Sequence, residues 1–272
     1  MPTLKSNNIT LAYEITGTGK PLVLIDPVGY GRWFWHKVVP GLAEHFQVIT
    51  FDNRGAGESD KPDGPYSVPM LAADTAGLLD ALNTKNAYVM GLSLGGYIAQ
   101  ELIVTRPNLV GKLILAAINY GGTKVIPITP EAMVALTNRQ GDPVELVKRG
   151  IAIACAPGFA QRQPAVAAEL LQYRFTNPVP PAQYAAQVAA GAGTIAYSDE
   201  VVEQRMKAIK VPTLILFGEH DRVMPPGNAN LMAQKIAGAR VKIIPGAGHI
   251  FPIEDPQGTI NAVIEFLETE RK

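Results

Sequence analysis

At 272 residues, with 47% of them apolar, the chain has the length for one large α/β domain, or one domain carrying an insertion, and enough core-forming side chains to exclude a disordered polymer. Lys and Arg total 24, as do Asp and Glu, so no single-sign field draws nucleic acid or an acidic membrane surface. The one cysteine, Cys155, has no internal disulfide partner and fits a reducing compartment.

The chain opens with an alternation. Ile9, Leu11 and Tyr13 fall on one face and Thr10, Ala12 and Glu14 on the other, which predicts an edge hairpin strand. Short runs rich in Val, Ile and Leu follow at 22–25, 48–51 and 87–90, then at 113–117, 213–217 and 241–244. Strands buried on both faces of a parallel sheet read this way. Helical spacing separates them at 68–82, 94–106, 226–237 and 256–267. Pro226 at the start and Gly238 after the end of the third match the usual helix boundaries. Alternating strands and helices predict an α/β fold with a mostly parallel central sheet flanked by helices.

The rhythm breaks between residues 122 and 206, where no strand-like run occurs. Helical segments opened by proline stand there instead, at 130–139, 143–154, 164–175 and 181–190. The expected division is a core in two parts, 1–121 and 207–272, with a helical cap at 122–206 inserted between two core strands. Seven basic and seven acidic side chains balance within the insertion, so it is not a basic nucleic-acid module. The first residues lack a basic segment followed by an apolar run. The most apolar stretch, 88–104, is interrupted by Ser93, Gln100 and Glu101, too polar for a membrane span. A soluble cytoplasmic protein with no membrane partner is expected.

Gly91-Leu92-Ser93-Leu94-Gly95 carries the chemistry. It lies where the strand at 87–90 meets the helix at 94–106, the setting of a nucleophile elbow. The turn must force the serine backbone into strain to lift its hydroxyl above the sheet, and a Cβ at Gly91 or Gly95 would block the strand–helix approach. The helix N-terminus behind Ser93 offers free N–H groups to a developing oxyanion. The bland alternative is a glycine-rich turn with an incidental N-cap serine. Ser6, Ser59, Ser67 and Ser198 have no such setting.

A serine hydroxyl needs a base, and the base an orienting acid. Past the strand at 213–217 comes Gly218-Glu219-His220-Asp221, on the functional edge of a parallel sheet. Asp221 is the chosen acid, with Glu219, Glu254 and Asp255 as competitors. Past the strand at 241–244 comes Gly246-Ala247-Gly248-His249, whose small residues predict a mobile turn around the base, His249. His36 and His45 lie in an early helical stretch, and His220 reads as a surface residue. Asn119 follows the strand at 113–117 but cannot supply a negative charge. Cys155, in an apolar run, reads as buried packing. HExxH, CxxC, P-loop and strand-following GxGxxG patterns are missing, so neither a metal nor another cofactor is expected.

Together with Phe51-Asp52-Asn53-Arg54-Gly55-Ala56-Gly57-Glu58-Ser59 and Asp255-Pro256, these blocks resemble the α/β-hydrolase superfamily across nearly the whole chain. Gly-Leu-Ser-Leu-Gly-Gly and the layout are similar to the 3-oxoadipate enol-lactonase and small carboxylesterase group. The resemblance implies the α/β-hydrolase fold and an oxyanion hole built from the Val28 and Leu94 backbone N–H groups. Many relatives carry His-Gly where this chain has Asp26-Pro27. Pro27 has no N–H, so the donor must come from Val28 or beyond. Asp26 is expected beneath the pocket floor with Arg54 as its partner.

The implied activity is hydrolysis of a small carboxylic ester or lactone through an acyl-enzyme. Ser93 would be the nucleophile, His249 the base and Asp221 the orienting acid. Two alternatives use the same fold: cofactor-free haloperoxidase-like perhydrolysis with the same triad, and a ligand receptor without turnover.

Overall fold

The computed structural model describes residues 1–269, so the end of the expected 207–272 segment lies outside the described residues. The chain begins with a hairpin of β1 (Thr3–Ser6) and β2 (Ile9–Thr16). Asn7 and Asn8 join them, at φ 45° and 64°. A two-residue hairpin turn needs positive φ at both positions, and asparagine adopts it more readily than most residues. The remaining strands are β3 (Lys20–Ile25), β4 (Phe46–Phe51), β5 (Ala87–Leu92), β6 (Val110–Ala116), β7 (Thr213–Gly218) and β8 (Arg240–Ile244). They form one eight-stranded sheet in the order β1-β2-β4-β3-β5-β6-β7-β8. β2 is antiparallel to both β1 and β4, and from β4 to β8 every pairing is parallel. The first alternating strand is therefore not at the edge as expected: β1 covers it.

The apolar runs split cleanly between two cores. Val23 and Ile25 of β3, Val89 of β5, Leu115 of β6 and Phe217 of β7 face one side. Leu22, Leu24, Met90, Leu92, Ile114 and Leu216 face the other. A strand with a period of two and both faces covered is apolar throughout, which is the pattern the sequence carries.

The helices before β6 are α1 (Val39–Ala43), α2 (Val68–Ala81) and α3 (Leu94–Thr105). The Ser67 side chain caps α2 by accepting from the Met70 N–H, and Pro69 sits in the first turn. Between β6 and β7 lie α4 (Pro130–Thr137), α5 (Pro143–Ala154), α6 (Phe159–Arg162), α7 (Pro164–Thr176), α8 (Pro181–Ala192) and α9 (Asp199–Ala208), with no strand among them. α9 starts from a Ser198 cap instead of a proline, which is why a search for proline starts passes over it. Then come α10 (Asn228–Ala233), α11 (Phe251–Glu254) and α12 (Pro256–Glu268). α10 is shorter than the expected 226–237. Its entry is a tight turn in which Asn228 N–H donates to Pro225 O, while the Asn228 side chain leaves the helix to bond the backbone of Ile126. Among the described residues no helix is long and apolar enough to cross a membrane.

Candidate active site

Ser93 occupies the β5–α3 turn at φ 56°, ψ −117°, a conformation that costs a non-glycine residue on the order of 1–3 kcal/mol. The surroundings hold it there. Its N–H donates to Ala116 O on β6 at 3.0 Å, and Gly96 N–H closes the first helical turn onto Ser93 O at 2.8 Å. A Cβ at Gly91 would stand 2.0 Å from Gly95 O, and one at Gly95 would stand 2.1 Å from Ile25 O on β3. Neither position admits a side chain, so the glycine spacing follows from the geometry of the turn.

Asp221 and His249 come from the loops after β7 and β8. Their side chains meet at 2.8 Å, between Asp221 Oδ2 and His249 Nδ1, and both are buried. The other carboxylate oxygen accepts from Val223 N–H at 2.8 Å and Met224 N–H at 2.7 Å, which fixes its plane. With Nδ1 turned to the carboxylate, Nε2 is the ring nitrogen left for other chemistry. Ser93 and His249 line the same cleft. The Ser93 hydroxyl bonds no protein group among the described residues, and in unliganded hydrolases such contacts are often long until substrate arrives.

The competing acids are engaged elsewhere. Glu219 is exposed and accepts from Gly246 N–H at 2.8 Å. Asp255 caps α12 through Gly258 N–H at 2.9 Å. Glu254 accepts from Ala156 N–H at 2.7 Å and Gly248 N–H at 2.9 Å. Burial pushes the Glu254 carboxyl up to about 7, against the lowering effect of those two N–H groups. His220 is half-exposed beside Glu219, His36 meets Glu169, and His45 meets Glu268. Asn119 accepts from the Tyr97 hydroxyl at 2.6 Å. Cys155 is buried, and burial pushes its thiol up, away from the reactive thiolate.

The turn around His249 is clamped, contrary to the mobility expected from its small residues. His249 N–H donates to Ala154 O at the end of α5, at 2.7 Å. A Cβ at Gly248 would fall 2.6 Å from Ala156 N, so the glycine lets two backbones touch. Arg222, beside Asp221, donates to Cys155 O at 3.1 Å and holds the same helix end.

The loop after β3 is gripped by the same helical segment. Tyr30 N–H turns back to Pro27 O at 3.4 Å, with Gly29 at φ 76°, the third position of a turn that demands positive φ. Gly29 N–H donates to Gln187 Oε1 at 2.9 Å, and Gln187 Nε2 donates to Arg54 O at 3.0 Å. Gln187 is 1% exposed. Arg174 donates to Gly29 O. Val28 N–H and Leu94 N–H bond no protein acceptor among the described residues, which leaves both donors available.

Asp26 is fully buried, as expected, but its partner is not Arg54. Its Oδ1 accepts from Trp35 Nε1 at 2.7 Å and its Oδ2 has no partner. Arg54 instead forms a two-pronged pair with Asp74, at 2.8 and 2.7 Å, because α2 carries Asp74 across the end of β4. Burial, reinforced by Asp52, raises the Asp26 carboxyl well above the usual range against the Trp35 bond.

The cleft is narrow, with a cavity volume of about 70 Å³. Pro27, Val28, Tyr30 and Val223 line it from the loops, and Ala135, Leu146 and Ile151 from α4 and α5. Arg139, Arg174 and Tyr184 add polar groups. Among the described residues no cluster of three or more His, Cys, Asp or Glu could hold a metal ion.

Known proteins share this fold. A family model described as alpha/beta hydrolase fold matches residues 20–256. A poly(3-hydroxyalkanoate) depolymerase from Ectopseudomonas oleovorans is 30% identical over 261 residues, 93% of this chain and 86% of that protein. A thermophilic esterase from Thermogutta terrifontis superposes with a TM-score of 0.79 at 30% identity, covering 98% of each chain. The enol-lactonase from Burkholderia xenovorans LB400 superposes with a TM-score of 0.81 at 28% identity, covering 98% of this chain and 100% of its own.

Proposed function

We propose that this chain, which belongs to the α/β-hydrolase fold family, cleaves a small carboxylic ester or lactone through an acyl-enzyme on Ser93. One observation carries the reading: the strained Ser93 of the β5–α3 turn lines one cleft with a histidine already bonded to a buried carboxylate. That is the arrangement a weak alcohol nucleophile requires. The depolymerase, the esterase and the enol-lactonase are all similar to this chain, which supports an ester or lactone substrate.

In this reading Ser93 Oγ attacks the carbonyl carbon and passes its proton to His249 Nε2. Asp221 holds the imidazole tautomer and stabilises the imidazolium. Val28 and Leu94 N–H groups receive the oxyanion, from positions fixed before substrate binds. The leaving alcohol takes the proton from His249. Water then attacks the acyl-enzyme with His249 as base, and the acid departs. Residues 122–206 act as a cap that sets substrate choice, because α4, α5, α7 and α8 supply much of the cleft wall. The single buried thiol of Cys155 fits a cytoplasmic site of action.

A panel of 4-nitrophenyl esters of increasing chain length, with aliphatic lactones and enol-lactones, tests the reading. Turnover that disappears in Ser93→Ala is the expected result. No turnover across the panel, or turnover that survives the substitution, refutes it.

A further inference from the structure

The cleft wall is electrically one-sided. Arg139 and Arg174 line it, and no carboxylate does, although the chain as a whole balances 24 basic against 24 acidic residues. Arg32, Arg54 and Arg205 are paired with acids, and Arg149, Arg162 and Arg222, which are not, are held by backbone carbonyls outside the cleft wall. Among the described residues Arg139 and Arg174 have no acid partner. Both guanidinium groups are instead laid on aromatic faces. Arg174 lies 4.4 Å from the Tyr30 ring centroid, and Arg139 lies 4.6 Å from that of Tyr184. Stacking fixes the plane of a guanidinium and leaves its in-plane N–H edge free. Arg174 spends one N–H on Gly29 O. Arg139 donates to no protein group among the described residues.

The two phenols complete the pattern. Tyr30 and Tyr184 line the cleft, and neither hydroxyl bonds the protein among the described residues. Burial pushes Tyr30 up to about 12, so it stays protonated and able to donate. The polar part of this wall is thus rich in donors and has no charged acceptor. A carboxylate is the complement: it is acceptor-only and pairs with guanidinium in a planar fork. A neutral ester offers these groups far less.

We propose that the cleft takes an ester or lactone bearing a carboxylate away from the scissile bond, received by Arg139 and Arg174. The proposal rests on the reading of Ser93 as the acylated nucleophile. The apolar side chains of α4 and α5 would flank the carbon chain between the two ends.

Two matched pairs of esters test it. One is 4-nitrophenyl butyrate against mono-4-nitrophenyl glutarate, with the carboxylate on the acyl side. The other is phenyl butyrate against 4-(butyryloxy)benzoate, with the carboxylate on the leaving group. Each kcat/KM is normalised to hydroxide-catalysed hydrolysis. In at least one pair the anionic ester should win by about 10- to 100-fold, the range of a charge-assisted hydrogen bond. The margin should shrink in high salt. Arg139→Gln should move the anionic-to-neutral ratio toward one, and Arg139→Glu should invert it. Arg139 is exposed, so neither change threatens folding. Neutral esters turned over as well as anionic ones in both pairs would overturn the anion site and leave the serine-hydrolase reading intact. A preference unmoved by both Arg139 variants would overturn it as well. No turnover of any of the four, with no acylation of Ser93, would overturn both.

Discussion

Gln187, with Arg174, is how the helical segment reaches the loop proposed to receive the oxyanion, and replacing it separates positioning from stability. Gln187→Met keeps the volume and removes both polar contacts, the 2.9 Å bond from Gly29 N–H and the 3.0 Å bond to Arg54 O. Each buried group left without a partner costs about 1–3 kcal/mol, so the two together should lower stability by about 2–6 kcal/mol. Gly29 follows the proposed donor Val28 in the same turn, and its N–H direction sets how that turn lies. Losing an oxyanion donor outright costs about 10²- to 10³-fold in kcat; a donor loosened but still present should cost about 10- to 100-fold. Gln187→Glu restores an acceptor for Gly29 N–H but, when ionised, offers nothing to Arg54 O. It should therefore melt early while keeping kcat near the wild-type value. The assay is kcat at saturating 4-nitrophenyl ester alongside a thermal melt of each variant. Wild-type kcat in Gln187→Met, or a Gln187→Glu as slow as Gln187→Met, would refute the positioning role.

Asp221→Asn should fold normally and lose about 10⁴-fold in kcat, whereas Glu219→Gln should change kcat little; the reverse ranking, measured on the same ester, would reassign the acid. Glu254 carries a folded value near 7 against an ordinary 4.5, so its stabilising contribution is complete below about pH 4.5 and is lost as pH rises through 7. Glu254→Gln should start less stable, because one amide oxygen cannot serve both Ala156 and Gly248 N–H, yet its melting temperature should fall less than the wild type's between pH 4.5 and 7.5. Asp26 is also raised, from an ordinary 3.8. The stability of Asp26→Asn relative to wild type should therefore improve as pH climbs above about 4, and a parallel pair of melting curves would contradict the burial account.

The sheet and the positions of Ser93, Asp221 and His249 were legible because each obeys a local rule. Two-sided burial writes short Val/Ile/Leu runs, and the strained Ser93 turn forces glycine at 91 and 95. Asp221 and His249 could be placed because each follows a strand whose C-terminal end points at the site. The packing of α4–α8 against that edge was not legible. Gln187 looks like any other helical glutamine until Gly29 is found beneath it, and Arg174 and Arg139 are only two of seven basic residues in a segment with as many acids. The same blindness explains two departures at the site. Gly248 beside His249 suggested mobility, but a glycine also permits close contact, and Ala156 fills that space. Arg54 was paired with Asp26 because β3 and β4 are neighbours, but Asp74 on α2 reaches it first.

The central claim is that Ser93 is a nucleophile activated by His249. Incubation with a fluorophosphonate, followed by peptide mass spectrometry, tests it most directly. The expected result is one adduct, on Ser93, that forms far more slowly in His249→Ala and is missing in Ser93→Ala. An adduct on Ser6, Ser59, Ser67 or Ser198 with Ser93 unmodified, or labelling indifferent to His249, would contradict it.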